Sequence, residues 1–169
     1  GADPYDTDAA CEGSSASFHG THTGGTAVGD SLEHPSSRTD AGVDAGDGMA
    51  PNAQLIVQDL GSENGCLGGD NTYEMYLQAL RGGARAHSNS YGSDTQGAYS
   101  SDDETVDRFL FEHDEMTILF SVGNSGPSPA STGSPGNSKY VITVGAVGNG
   151  DSTRVSRFSS RGPTSDGRI

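Results

Sequence analysis

An α/β fold, with a parallel sheet covered by helices on both faces, is predicted by this sequence from three observations. Short apolar runs at Leu55-Ile56-Val57, Ile118-Leu119-Phe120 and Val141-Ile142-Thr143-Val144 have the length and β-branched content of buried strands. Segments between them carry apolar residues at helical spacing, and strands that alternate with helices assemble into parallel sheets. The 26 glycines are scattered among these runs without forming repeats, which marks tight turns and close backbone approaches, not a flexible linker. A hydrophobic content of 31% is low, yet its concentration in these runs argues against disorder.

Each element has its own reason. Residues 1–18 are polar and turn-rich, after which His19 to Val28 mixes small residues in a way that suits the closely packed first turns of a helix, with His19 near its N-terminus. Residues 39–48 carry Asp40, Asp44 and Asp47 among glycines and alanines, and read as an exposed loop. Met49-Ala50-Pro51-Asn52 is a turn leading into a buried strand from Ala53 to Leu60. Asn71 caps a helix with Tyr73, Tyr76, Leu77 and Leu80 on one face, ended by Gly82-Gly83. A strand at Ala86 to Ser90 follows, then a loop through Gly92, Ser93 and Gly97. Ser101-Asp102-Asp103-Glu104 reads as a capping box opening a helix with Val106, Phe109, Leu110 and His113 on one face. Thr117 to Val122 and Tyr140 to Val147 are the remaining strands. Ligands of such sheets bind beyond the carboxyl ends of the strands, where Tyr91, Gly92, Gly123 and Asn124 fall.

The formal net charge of −14 excludes an ordinary nucleic-acid binder, which must neutralise phosphates with cations. An Asp-rich, Lys-poor surface suits solubility in high salt or calcium binding, and plain solubility accounts for it equally. Gly1-Ala2-Asp3-Pro4 lacks the basic start and apolar stretch of a signal peptide, and no run approaches the ~18 residues needed to cross a bilayer, so a soluble chain with no membrane partner is expected. Cys11 and Cys66 are either a disulfide, worth on the order of 4 kcal/mol by loop entropy, or two reduced thiols.

Two short stretches carry chemistry. His19-Gly20-Thr21-His22-Thr23-Gly24-Gly25-Thr26 offers an imidazole, the group that takes a proton from a serine hydroxyl and returns it to a leaving amine. Val122-Gly123-Asn124-Ser125-Gly126 offers an amide on a turn after a strand, where a fixed donor can meet a developing oxyanion. Blander readings stand beside these. His19 and His22 could share a metal, although no third ligand is placed by spacing, and His22 alone suits packing or a backbone hydrogen bond. The glycines from Gly20 to Gly29 follow no apolar strand and lack nucleotide-loop spacing. Asn124 could be only a turn residue. Asp40, Asp44 and Asp47 miss the one-three-five spacing of a calcium-binding EF-hand loop.

Both stretches resemble the subtilisin-like serine proteases, the first their general-base motif and the second their oxyanion segment. Three more landmarks follow in the family's order: Met49-Ala50-Pro51-Asn52-Ala53 is similar to the lead into a core strand, Ser88-Asn89-Ser90-Tyr91-Gly92 to the substrate-binding edge, and Phe158-Ser159-Ser160-Arg161-Gly162-Pro163 to the strand before the nucleophile region. Detailed wording, including Asp114 to Phe120, resembles secreted bacterial alkaline subtilases. The resemblance implies that residues 1–169 are a partial subtilase catalytic domain, incomplete at both ends, of an extracellular endopeptidase. His19 is then the base and Asn124 the oxyanion donor. Ser90, Tyr91 and Gly92 bind an extended polypeptide substrate, Ser121, Val122 and Gly123 floor the pocket for the side chain before the scissile bond, and Gly133 to Gly136 close its far wall. No cofactor is required for the chemistry, whereas structural calcium and its ligands stay open. The sequence departs from the pattern in holding no Gly-Thr-Ser-Met-Ala nucleophile segment and no Asp-Thr-Gly or Asp-Ser-Gly strand before His19. Asp6 and Asp8 are poor substitutes for the orienting aspartate. The missing partners are therefore expected in flanking segments of the same domain. A degenerate protease or a non-catalytic peptide-binding module is the alternative.

Overall fold

A computed structural model describes residues 19–30, 46–60, 71–148 and 153–168. The chain divides into two compact units, Gly1–Asp70 and Asn71–Ile169. Asp6, Asp8, Cys11, Asp40, Asp44 and Cys66 lie outside the described residues.

In the first unit, helix α1 spans His19–Val28. Three glycines make it a poor helix on intrinsic grounds, each costing about 1 kcal/mol relative to alanine. Local hydrogen bonds offset part of that cost. Thr26 Oγ1 donates to His22 O at 2.9 Å, and a backbone segment closes onto the C-terminal turn, with Met49 N donating to Thr26 O and Ala50 N to Ala27 O, both at 2.9 Å. These bonds satisfy carbonyls that a helix end otherwise leaves unpaired. A Cβ at Gly48 would lie 2.6 Å from Gly25 O, so this approach requires glycine. The strand expected from Ala53 to Leu60 does not form. Among the described residues this stretch joins no ladder, and Leu55, Ile56 and Val57 are about half exposed. An apolar run supplies the side chains of a strand, but only a neighbour's backbone makes it one.

The second unit has the parallel sheet and alternating helices that the sequence predicts, with both of its helices on one face. Helix α2 (Thr72–Arg81) starts at Asn71, whose Oδ1 accepts from Glu74 N at 3.0 Å, and stops at Gly82. Strand β1 (Ala86–Asn89), helix α3 (Ser101–Glu112), strand β2 (Thr117–Ser121) and strand β3 (Ile142–Val144) follow. The sheet order is β1-β2-β3, with both pairs parallel; Ala86 opposes Thr117 and Leu119 opposes Ile142. Ile118 and Phe120 alternate onto one face of β2 and join Tyr76, Ala79, Val106, Phe109, Leu110 and Met116 in one core, which draws α2 and α3 onto that face. Tyr76 and Phe109 meet at 5.3 Å between ring centroids.

Strands β1 and β2 each end one residue earlier than expected, at Asn89 and Ser121, and two further differences have a visible cause. The capping box of α3 begins one residue earlier than read: Ser100 accepts from Asp102 N, while Asp103 Oδ2 accepts from Ser100 N. Strand β3 is shorter than Tyr140 to Val147: Asp107 Oδ1 takes the N–H groups of Lys139 at 2.7 Å and Tyr140 at 3.0 Å before it, and beyond it Ala146 N donates to Ser159 Oγ at 3.0 Å. No helix among the described residues is long and apolar enough to cross a membrane.

Candidate active site

Because β1 and β2 are adjacent and parallel, the chain leaves both at the same edge of the sheet. Tyr91 and Gly92 follow β1, and Val122 to Asn124 follow β2, so five sequence-predicted positions converge there. Ser90 and Gly92 are exposed. Tyr91 instead turns its ring inward, 5.7 Å from Phe120 and edge-on, and desolvation raises the pKa of its hydroxyl.

Gly133 to Gly136 lie beside both segments. Ser93 N donates to Ser134 O at 2.8 Å and Ser134 N returns a bond to Ser93 O at 3.0 Å, while Gly133 N donates to Val122 O at 3.3 Å. A Cβ at Gly92 would lie 2.6 Å from Ser134 O, and one at Gly133 equally close to Ser93 O. Thr143 Oγ1 holds Gly136 O at 2.6 Å. The three segments that the sequence assigns to the substrate edge, the pocket floor and the far wall are thus joined by backbone bonds into one surface.

Asn124 sits on the turn beyond β2. Val122 N continues the ladder to Val144 O at 2.9 Å, after which Gly123 adopts φ +101 and turns the chain away from the sheet. Asn124 is exposed, and among the described residues its side-chain amide makes no hydrogen bond. Next to it, Ser125 Oγ donates to Asp94 Oδ2 at 2.9 Å. Asp94, Gln96 and Ser125 face residues 128–131 across an open cavity of about 330 Å³. Gln96 (φ 51) and Ala130 (φ 54) are the non-glycine residues with positive φ among those described, and both line this cavity. Asp94 was not legible as part of the site, because its partner is 31 residues away and no motif contains it.

The segment from Phe158 to Pro163 is not the strand it resembles. Arg161 draws the backbone into a turn, its guanidinium donating to Ser156 O at 3.0 Å and also to Ser159 O, with Ser159 N bonded to Ser156 O at 3.2 Å. This turn packs on the Asn124 loop.

His19 is the first residue of α1 and is half buried, whereas His22 is exposed. Among the described residues no group of three His, Cys, Asp or Glu could hold a metal.

The model of the subtilase family matches residues 2–169. The chain is 32% identical over 135 residues to "Serine protease/ABC transporter B family protein tagD" of Dictyostelium discoideum, covering 76% of this chain and 7% of that protein. It is 30% identical over 152 residues to "Subtilisin-like protease SBT1.4" of Arabidopsis thaliana, covering 89% of this chain and 18% of the relative. The solved structure of "S41 Psychrophilic Protease" superposes with a TM-score of 0.59 at 28% identity, over 85% of this chain and 45% of that one. The chain therefore spans less than half the length of each of these relatives.

Proposed function

Because the chain belongs to the subtilase family, whose members are serine endopeptidases, we propose that it supplies His19 as general base and Asn124 as oxyanion donor of a peptide-cleaving site. On this reading the nucleophilic serine and the orienting aspartate come from outside these 169 residues, and the protein acts outside the cell. His19 takes the proton of the attacking serine and gives it to the departing amine. Asn124 Nδ2 donates to the carbonyl oxygen as charge builds on it, a contact that strengthens only in the transition state. The observation that carries the reading is the placement of Asn124: exposed, with its amide unengaged among the described residues, on a turn at the carboxyl edge of a parallel sheet.

The 169-residue chain alone should not react with a fluorophosphonate. Stoichiometric labelling of one of its serines would reveal a nucleophile here and overturn this arrangement. In the longer protein, Asn124→Ala should lower kcat about 100-fold to 1000-fold with KM nearly constant, and His19→Ala should nearly abolish turnover. An unchanged kcat for Asn124→Ala would remove it from the site.

We also propose that large neutral side chains are favoured before the scissile bond, since Ser90 to Gly92, Ser121 to Gly123 and Gly133 to Gly136 hold no acid to pair a buried cation. Peptide-library profiling tests this. Dominant cleavage after Arg or Lys, abolished by Asp94→Asn, would assign the pocket's polarity to Asp94.

A further inference from the structure

We infer that Ser160 is a positioning residue for Asn124, an inference that rests on the oxyanion reading above. Ser160 holds the backbone on both sides of that asparagine. Its N–H donates to Gly123 O at 3.0 Å, and its Oγ accepts from Ser125 N at 3.0 Å. Ser160 is only 5% exposed, so both bonds are sheltered from competing water. Gly123 holds φ +101, where a side chain is strained, and a Cβ there would also crowd Ser160 Oγ at 3.0 Å. The neighbouring peptide tightens the clamp, since Gly126 N donates to Phe158 O at 2.8 Å and a Cβ at Gly126 would lie 2.0 Å from Ser159 O.

Asn124's own amide has no hydrogen bond among the described residues to aim it. Its direction therefore follows from the backbone at Gly123 and Ser125. An oxyanion donor is effective because it needs no rearrangement when charge appears, so whatever fixes those two peptides fixes the donor. Removing the Ser160 hydroxyl leaves Ser125 N–H without its partner and frees one side of the turn. A misplacement of about an ångström can cost as much as a hundredfold in rate.

Ser159 is the control, being 0% exposed and chemically identical, with its Oγ accepting from Ala146 N at 3.0 Å instead of from the Asn124 turn. In the longer protease, Ser160→Ala should lower kcat about tenfold to a hundredfold at constant KM, while Ser159→Ala leaves kcat unchanged. The double variant Asn124→Ala/Ser160→Ala should be no slower than Asn124→Ala, because both changes remove one contact. An undiminished kcat in Ser160→Ala beside an impaired Asn124→Ala, or losses that multiply in the double variant, would overturn the inference and leave the oxyanion reading intact. Unimpaired Asn124→Ala would overturn both. Should Ser160→Ala not fold, amide exchange in the unaltered chain decides: Ser125 N–H should exchange at least about tenfold more slowly than Asn124 N–H, and equal rates would count against the clamp.

Discussion

His87 stands in β1 with its ring 4.9 Å from that of Tyr76 and edge-on to it, and desolvation there lowers its pKa from the ordinary 6.5, with Asn89 opposing the shift only in part. Below pH 6.5 the unfolded chain binds a proton that the folded chain resists. Stability therefore rises with pH through the interval between the lowered folded value and 6.5, and is lost as pH falls through it. Urea midpoints at pH 5 and pH 7.5 should differ more for the native chain than for His87→Gln. Equal differences would mean that His87 does not titrate across the folding transition. Asp166 on the surface is shifted in the same direction by the opposite cause: a hydrogen bond from the Thr164 hydroxyl and a second from Arg168 favour its charged form and hold its carboxyl down at about 2.

Helix α3 tests how finely an element's boundary is written in its sequence. Two serines precede the acidic run, and Ser101-x-x-Glu104 fits the capping-box pattern as well as Ser100-x-x-Asp103 does. The structure selects the second, in which Ser100 Oγ also lies 2.6 Å from Ser134 Oγ. Ser100→Ala should cost about 1 kcal/mol in urea unfolding and Ser101→Ala a few tenths, and the reverse ranking would return the cap to Ser101. Elements specified by local chemistry were legible, as at α2, whose Asn71 cap, apolar face and Gly82-Gly83 stop were all readable. Elements specified by distant partners were not. Nothing within Phe158 to Pro163 announces that Arg161 will gather the carbonyls of Ser156 and Ser159 into a turn, and the apolar content of Ala53 to Leu60 says nothing about which backbone would pair with it. The candidate site divides in the same way: Asn124 and Gly123 are visible as a motif, whereas Asp94 and Ser160 reach it from 31 and 35 residues away.

Across the whole molecule, a formal charge of −14 makes self-repulsion a general cost of compactness. Screening weakens that repulsion, so raising NaCl from about 0.05 M to about 1 M should raise the melting temperature by several degrees. A flat response would show that the acidic residues are dispersed enough not to oppose folding. The same salt has a second effect through the sheet edge. Among the described residues β3 pairs only with β2, and Ile142 and Val144 are about half exposed beside Val147 and Val155. An open ladder with an apolar flank is a template for a second chain. The shared negative charge opposes the approach of two such edges, so the ionic strength expected to steady each molecule should also ease that approach. Where the exposed edge outweighs the acidic surface, solubility and thermal stability of this chain should have their optima at different salt concentrations, which light scattering and melting curves over one salt series would show.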